Sequence, residues 1–309
     1  MKRVLLRIFL ILILNITPWK TANCEVFIVA KINQEIITNI DLDFEKKYLI
    51  TLNPNLKKLD QKRIIEYAKN SLINERIKKI EIEKKSKVEA NENLLSRVIT
   101  DIYSGIGFSS LSDFENYLLQ NEVDIQKVKK KISIEIAWND LIVKTFANEI
   151  EINRNLMMKE LEKFDKKKVD NLLISEIVFT INDKKELVTK YQEIKQSINE
   201  IGFEETARIY SLSDSKKSGG NLGWIYKNQL SKEIKDGLNK IKVGDLTEPI
   251  VTSGGFLILK LNDMKSENIK IDKDAQLKKM IEFEKERQFT RLSTLYYKRI
   301  YNSAEINEK

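Results

Sequence analysis

The residues of this sequence that could do chemistry are few, and the types it lacks decide as much as those it holds. The chain has no histidine and a single cysteine, Cys24. Zinc sites of the usual kinds therefore cannot be built, and neither Ser-His-Asp nor Cys-His catalysis has its base. No metal and no cofactor is expected. One segment concentrates hydroxyls, charge and glycine: Ile209-Tyr-Ser-Leu-Ser-Asp-Ser-Lys-Lys-Ser-Gly-Gly-Asn-Leu-Gly-Trp224. Its glycines follow no strand and precede no Lys-Ser or Lys-Thr pair, so it is not a phosphate loop. Turn geometry explains them better.

The elements around that segment must position it. Leu173, Ser175, Ile177 and Phe179 alternate with Ile174, Glu176 and Val178, which predicts a strand apolar on both faces and hence central. Leu187, Tyr191, Ile194, Ile198 and Ile201 form a helical stripe that Gly202 ends, and Phe203 to Tyr210 is a second short helix. After the Gly219-Gly220 turn into a strand come a helix around Ser231 to Ile241 and a Gly244-Asp245 turn. A strand from Glu248 to Thr252 then pairs, across Ser253-Gly254-Gly255, with a strand from Phe256 to Leu261. This order is a small α+β unit.

Four stretches of that unit, Phe203-Glu-Glu-Thr-Ala-Arg-Ile-Tyr-Ser, Ser218-Gly-Gly-Asn-Leu-Gly-Trp, Gly244-Asp-Leu-Thr-Glu-Pro-Ile and Ser253-Gly-Gly-Phe-Leu-Ile-Leu-Lys, resemble the successive signatures of the parvulin family of peptidyl-prolyl isomerases. The resemblance implies a four-stranded antiparallel sheet with flanking helices and a shallow groove for a prolyl peptide. Rotation about the X-Pro bond is helped there without a covalent intermediate, against an amide barrier of about 18 to 20 kcal/mol. It places Leu222, Leu230 and Ile234 where the family holds the proline ring. Glu176 and Phe256 stand where the family has two histidines, and Ser213, followed by Asp214, where it has a cysteine or aspartate. Phe256 joins the implied substrate-binding residues, and if the site is active, Ser213, Asp214 and Glu176 are its catalytic candidates. Phenylalanine cannot donate a hydrogen bond, so the implied network is incomplete. The plainer reading makes Glu176 a solvent-facing strand residue and Phe256 core filling.

The rest of the chain frames this unit. At 309 residues, about two domains are expected. Lys2, Arg3 and Arg7 precede the apolar run Ile8 to Leu14 and a polar stretch ending at Cys24, which reads as a cleavable secretory signal over 1–24, too short to span a bilayer. Thr21 and Asn23 fit a lipoprotein signal at Cys24 poorly. Removing Lys2, Arg3, Arg7 and Lys20 lowers the formal net charge from +8 to about +4, and lysines alternate with glutamates along the helices, so no nucleic-acid partner is called for.

Glu25 to Thr38 reads as two strands about Asn33-Gln34, and Thr38 or Asn39 caps a helix beginning near Asp41. Asp60 to Lys85, Asn91 to Tyr103, Leu111 to Gln120 and Ile125 to about Phe164 are predicted helices. Val29-Ala-Lys-Ile-Asn-Gln-Glu-Ile-Ile-Thr, the Leu72-Ile-Asn-Glu-Arg helix and Phe108 to Leu141 resemble the amino-terminal domain of SurA-type periplasmic chaperones. Asn262 to Lys270 reads as a polar connection before a long helix, Asp272 to Asn302. The resemblance implies that this tail returns to the amino-terminal helices, with Ala304 to Ile306 adding a strand beside Glu25 to Ile32.

The expected fold is α+β: a mostly helical SurA-like domain over 25–165, completed by a C-terminal helix over 270–309, with a parvulin-like domain inserted over 166–265. The function implied is a periplasmic, ATP-independent chaperone for unfolded outer-membrane or other exported polypeptides. An active prolyl isomerase is the alternative, and a lipid-anchored foldase of the PrsA type a third.

Overall fold

The computed structural model describes residues 25–309 apart from 86, 89–90, 163–168, 182, 184, 253 and 268–271. The expected signal, with Cys24, lies outside the described residues, as do Ser253 of the hairpin turn and the stretch in which the boundary between 165 and 166 was placed.

Alternating apolar residues put β1 (Ile28–Ile32) and β2 (Glu35–Thr38) into a hairpin about Asn33, whose φ of 51° is the left-handed conformation such a turn demands. Thr38 closes it and opens α1 (Asn39–Leu52) through a reciprocal cap with Asp41, in which each side chain bonds the other residue's backbone N–H. Asp60 caps α2 (Gln61–Glu83). There follow α3 (Glu92–Gly105), α4 (Leu111–Gln120) and α5 (Ile125–Phe146).

The predicted helix from Ile125 to Phe164 is in fact two. After Phe146 come a short 3-10 turn, Ala147–Glu149, and a connection in which Glu151 exchanges hydrogen bonds with the Gln288 side chain. Asn153 then accepts from the Leu156 N–H and starts α6 (Arg154–Glu162). A capping side chain with a local partner outcompetes continued helix.

The second sheet begins with β3 (Val169–Phe179), followed by α7 (Glu186–Ile201), α8 (Phe203–Tyr210), β4 (Asn221–Tyr226), α9 (Lys232–Leu238), β5 (Ile250–Thr252) and β6 (Gly255–Glu267). All pairs are antiparallel in the order β4-β3-β6-β5, so β3 is central, as its two apolar faces require. The helix and strand expected over Ser231–Ile241 and Glu248–Thr252 are shorter than read. The polar residues Asn262 to Glu267 are strand rather than connection, because the start of β3 pairs with them, Val169 opposite Glu267 and Leu172 opposite Met264. A polar strand persists where its backbone groups have a partner ladder.

The long α10 (Lys273–Ser303) returns to the first helices and ends in β7 (Ile306–Glu308), which pairs antiparallel with β1 on the side away from β2. Tyr296 packs with Ile82, Trp138 and Leu141, and Trp138 donates from its indole nitrogen to Ser293 Oγ at 3.0 Å. The hydroxyls of Tyr296 and Tyr297 reach Glu81 and Asn74 on α2. The two parts of the fold also share a core: Leu56, Leu59, Ile64 and Tyr67 pack with Ile177, Phe179, Ile194, Ile201 and Tyr210. The Tyr67 and Tyr210 hydroxyls meet at 2.6 Å, and Arg63 pairs with Glu200 beside them.

Candidate peptide-binding groove

The polar part of the site hangs on β3. Leu172, Ile174, Glu176 and Val178 share one face of that strand, and three of the four are apolar. The loop between α8 and β4 is stitched to β3 at both ends: the Leu212 N–H donates to the Val178 carbonyl at 2.7 Å, and the Glu176 N–H donates to the Gly220 carbonyl at 2.8 Å. Between these ties, Ser213 caps a 3-10 turn, Asp214–Ser218. Gly219 and Gly220 return the chain with φ of 63° and 80°. A Cβ on Gly220 would stand 2.3 Å from the Glu176 carbonyl oxygen, so the tie at that end admits only glycine.

The loop thereby aims two hydroxyls at one carboxylate. Ser213 Oγ donates to Glu176 Oε1 at 2.6 Å and Ser215 Oγ donates to the same oxygen at 2.9 Å, the two hydroxyls standing 3.1 Å apart. Burial pushes the Glu176 carboxyl above its ordinary pKa, and the two hydroxyl bonds pull against that shift. Glu176 is therefore not the solvent-facing residue of the plainer reading. Asp214, the neighbour expected to share in the chemistry, points away, with its side chain 56% exposed and Lys217 at 3.4 Å. Sequence reading missed Ser215; its position two residues after Ser213, in a turn too tight to separate them, is the signal that would have found it.

The apolar part lies on the same face of the sheet. Leu222, Leu230 and Ile234 fall into one cluster with Leu172, Ile174, Ile225, Leu257 and Leu259, joined by Val178 and Ile250. Leu230 is buried, whereas Leu222 and Ile234 are half-buried and so keep surface to offer. Phe256 does not join them. It stacks on Phe179 with ring centroids 5.6 Å apart and packs into the core beneath α7 and α8, because it stands opposite Phe179 in the ladder and cross-strand partners share a face. The core-filling reading describes it, and the substrate-binding reading does not.

The arrangement can hold apolar side chains on half-buried aliphatics and present a hydrogen-bonded carboxyl to a peptide group. No cluster among the described residues could hold a metal ion. No helix among the described residues is long and apolar enough to cross a membrane.

The profile of the rotamase family described as the PPIC-type PPIASE domain matches residues 172–263. Chaperone SurA of Pseudomonas aeruginosa is 22% identical over 215 residues, which is 64% of this chain and 51% of that protein. Chaperone SurA of Hydrogenovibrio crunogenus is 24% identical over 271 residues, 82% of this chain and 58% of that protein. Foldase protein PrsA of Geobacillus kaustophilus is 27% identical over 152 residues, 48% of this chain and 50% of that protein. This chain thus spans about half the length of the relatives it matches. Among solved structures, one from the work on PEB4 and Cj1289, SurA-like chaperones of Campylobacter jejuni, matches with a TM-score of 0.37 at 15% identity, covering 91% of this chain and 98% of that one. With the sheet order, the Glu176 loop and the aliphatic cluster, the profile match identifies residues 172–263 as a PPIC-type domain, carried by a chain that is similar to chaperone SurA along much of its length.

Proposed function

We propose that this protein is a periplasmic chaperone that holds unfolded outer-membrane polypeptides without ATP, binding them through the groove of its PPIC-type domain and the helical unit beside it. The observation that carries this reading is the half-buried pair Leu222 and Ile234 over a buried aliphatic floor, with no imidazole beside it. Barrel strands place apolar residues at every second position, so an extended client segment lays every other side chain on such a floor. The similarity to chaperones SurA and PrsA supports a holding or folding role. Residues 25 to about 165 with 270–309 are proposed to be one discontinuous unit with 166–265 inserted, and the pairing of β7 with β1 supports this division. The test is aggregation of an unfolded outer-membrane β-barrel protein diluted from denaturant. The full chain should delay it in proportion to its concentration, and no delay at molar excess would sink the reading.

A second reading, an active prolyl isomerase, draws on the Glu176–Ser213–Ser215 cluster, which could polarise the twisting amide. It requires faster cis/trans exchange of an Ala-Pro peptide on adding the chain, lost in Glu176→Gln together with Ser213→Ala. Peptide resonances that shift without faster exchange leave the groove as a holding site.

A further inference from the structure

The aliphatic cluster that floors the groove has a second opening, beyond the end of α9. Leu172, Leu238 and Leu261 belong to that cluster, are 2%, 4% and 4% exposed, and floor a cavity of about 330 Å³. This is at the small end of the range for small-molecule sites. Ile241, Val243 and Met264 wall it, and Val243 and Met264 are left 50% and 48% exposed there. None of Glu176, Ser213, Ser215, Leu222 and Ile234 lines this cavity, and Leu172 stands about 13 Å along β3 from Glu176. Phe283 of α10, which packs against the same cluster, does not line it either.

Three side-chain donors complete the lining: Lys227, Asn239 and Lys242. Lys227 belongs to the short turn after β4 and faces Asp170 at 3.8 Å, too far for a hydrogen bond. Asp170 instead accepts from Ser266 Oγ at 2.6 Å. Among the described residues, neither the Lys242 ammonium nor the Asn239 side-chain amide has a partner. The neighbouring backbone donors, by contrast, are engaged within the chain. The Lys242 N–H donates to Asp245 Oδ2, the Gly244 N–H to the Leu261 carbonyl and the Met264 N–H to Asp263 Oδ1. The Gly237 and Leu238 carbonyls accept from the Lys240 and Ile241 N–H groups, which softens the negative end of α9. A peptide main chain laid here would meet these engaged donors, whereas a compact anion would meet two ammonium groups and an amide.

We propose that this cavity binds an aliphatic carboxylate, a fatty-acid anion of medium length, with its alkyl chain on Leu172, Leu238 and Leu261 and its carboxylate held by Lys242, Lys227 and Asn239. The class follows from the lining. The floor and walls are aliphatic or thioether, so the part of a ligand that lies on them is hydrocarbon. Ammonium groups donate strongly to a carboxylate, and Lys227 can turn to one from its loose partner Asp170. Leu238 lies one turn after Ile234 on α9, so the ligand packs against the helix that carries one wall of the groove. The site is separate from the peptide-holding reading and stands or falls without it.

The test titrates decanoate, below the concentration at which it forms micelles, into the full chain labelled with ¹³C at its methionine methyl groups. Met264 reports on the cavity, while Met157, Met158 and Met280 pack together around Leu161 and Leu277 and serve as controls. The Met264 methyl resonance should move and saturate while the other three stay in place. Decanol, with the same tail and no charge, should bind about tenfold more weakly, and Lys242→Gln should weaken decanoate by a similar factor. Val243→Asp should abolish binding. Lys242 and Val243 are exposed, so both variants should melt with the wild type. A stationary Met264 resonance overturns the proposal, and so do equal shifts of all four methyls, which mean general adsorption of a detergent. Decanol binding as tightly as decanoate, or an unchanged affinity when Lys227→Gln is added to Lys242→Gln, overturns the carboxylate. A peptide ending in leucine that displaces decanoate, and fails to do so once its terminus is amidated, overturns the fatty acid in favour of a polypeptide end.

Discussion

On one face of the four-stranded sheet, Ile177, Phe179 and Ile258 lie beneath α7 and α8, and Leu56, Ile64 and Tyr67 of the helical unit add a further layer to that core. On the other face, Leu172, Ile174 and Leu259 form a floor that the short α9 and the half-buried Leu222, Ile234 and Val178 cover incompletely, with a carboxylate set among them. The same strands build both. The difference teaches which face carries stability and which is free to bind, since a dry core closed by two layers has nothing left to offer a ligand.

The contrast can be broken most forcefully from the sealed side. Phe179→Ala, at 2% exposure, should cost about 3 to 5 kcal/mol, whereas Leu222→Ala should cost about 1 kcal/mol or less and act chiefly on peptide binding. Paired urea melts and anisotropy titrations check this; equal losses of stability would mean that the faces are not distinct. Next in size, Gly220→Ala forces a Cβ against the Glu176 carbonyl and should cost about 2 kcal/mol or more. Gly223→Ala, at a similar φ of 73° but with nothing within 4 Å, should cost roughly 1 kcal/mol. If the two alanines melt alike, the loop is not pinned to β3 as described.

Tyr67→Phe removes one hydroxyl of the pair at 2.6 Å that joins the helical unit to the sealed face, and should cost about 1 kcal/mol, read from denaturant midpoints. The smallest effect has the opposite sign and belongs to the open face. Burial raises the folded pKa of Glu176. The folded chain therefore holds that proton more tightly than the unfolded one, and stability falls as pH rises from the ordinary carboxylate pKa to the raised one. Glu176→Gln keeps a carbonyl for Ser213 and Ser215 and removes this loss. Its melting temperature should exceed that of wild type at neutral pH and match it below about pH 4. A variant less stable than wild type at neutral pH but equal to it below about pH 4 would show that the ionised carboxylate is favoured where it stands.

Much of this was legible in the residues. The doubly apolar β3, the stripe from Leu187 to Ile201, the Thr38 cap and the clustering of Leu222, Leu230 and Ile234 follow from local periodicity and from the family resemblance. The end of α5 was not, because apolar residues continue past Phe146 and only the capping of α6 by Asn153 interrupts them. The polar end of β6 was not, because its reason is the partner strand. Phe256 reads as a groove residue by position and becomes a core residue by register, one residue deciding the face. Phe283 carried no signal at all: the buried cluster it packs against lies from 22 to 111 residues away in the sequence, and helical spacing alone cannot say which body a stripe faces.

β7 lies at residues 306–308, and its partner β1 at 28–32. During synthesis the first strand must therefore wait for nearly the whole chain before its second edge is covered, about 15 s or more at ribosomal rates. Until then the amino-terminal sheet is a lone hairpin, which is marginal in water. A sheet whose first described strand is finished by the last is slow to become compact, and its register is fixed only when both ends of the described chain have met.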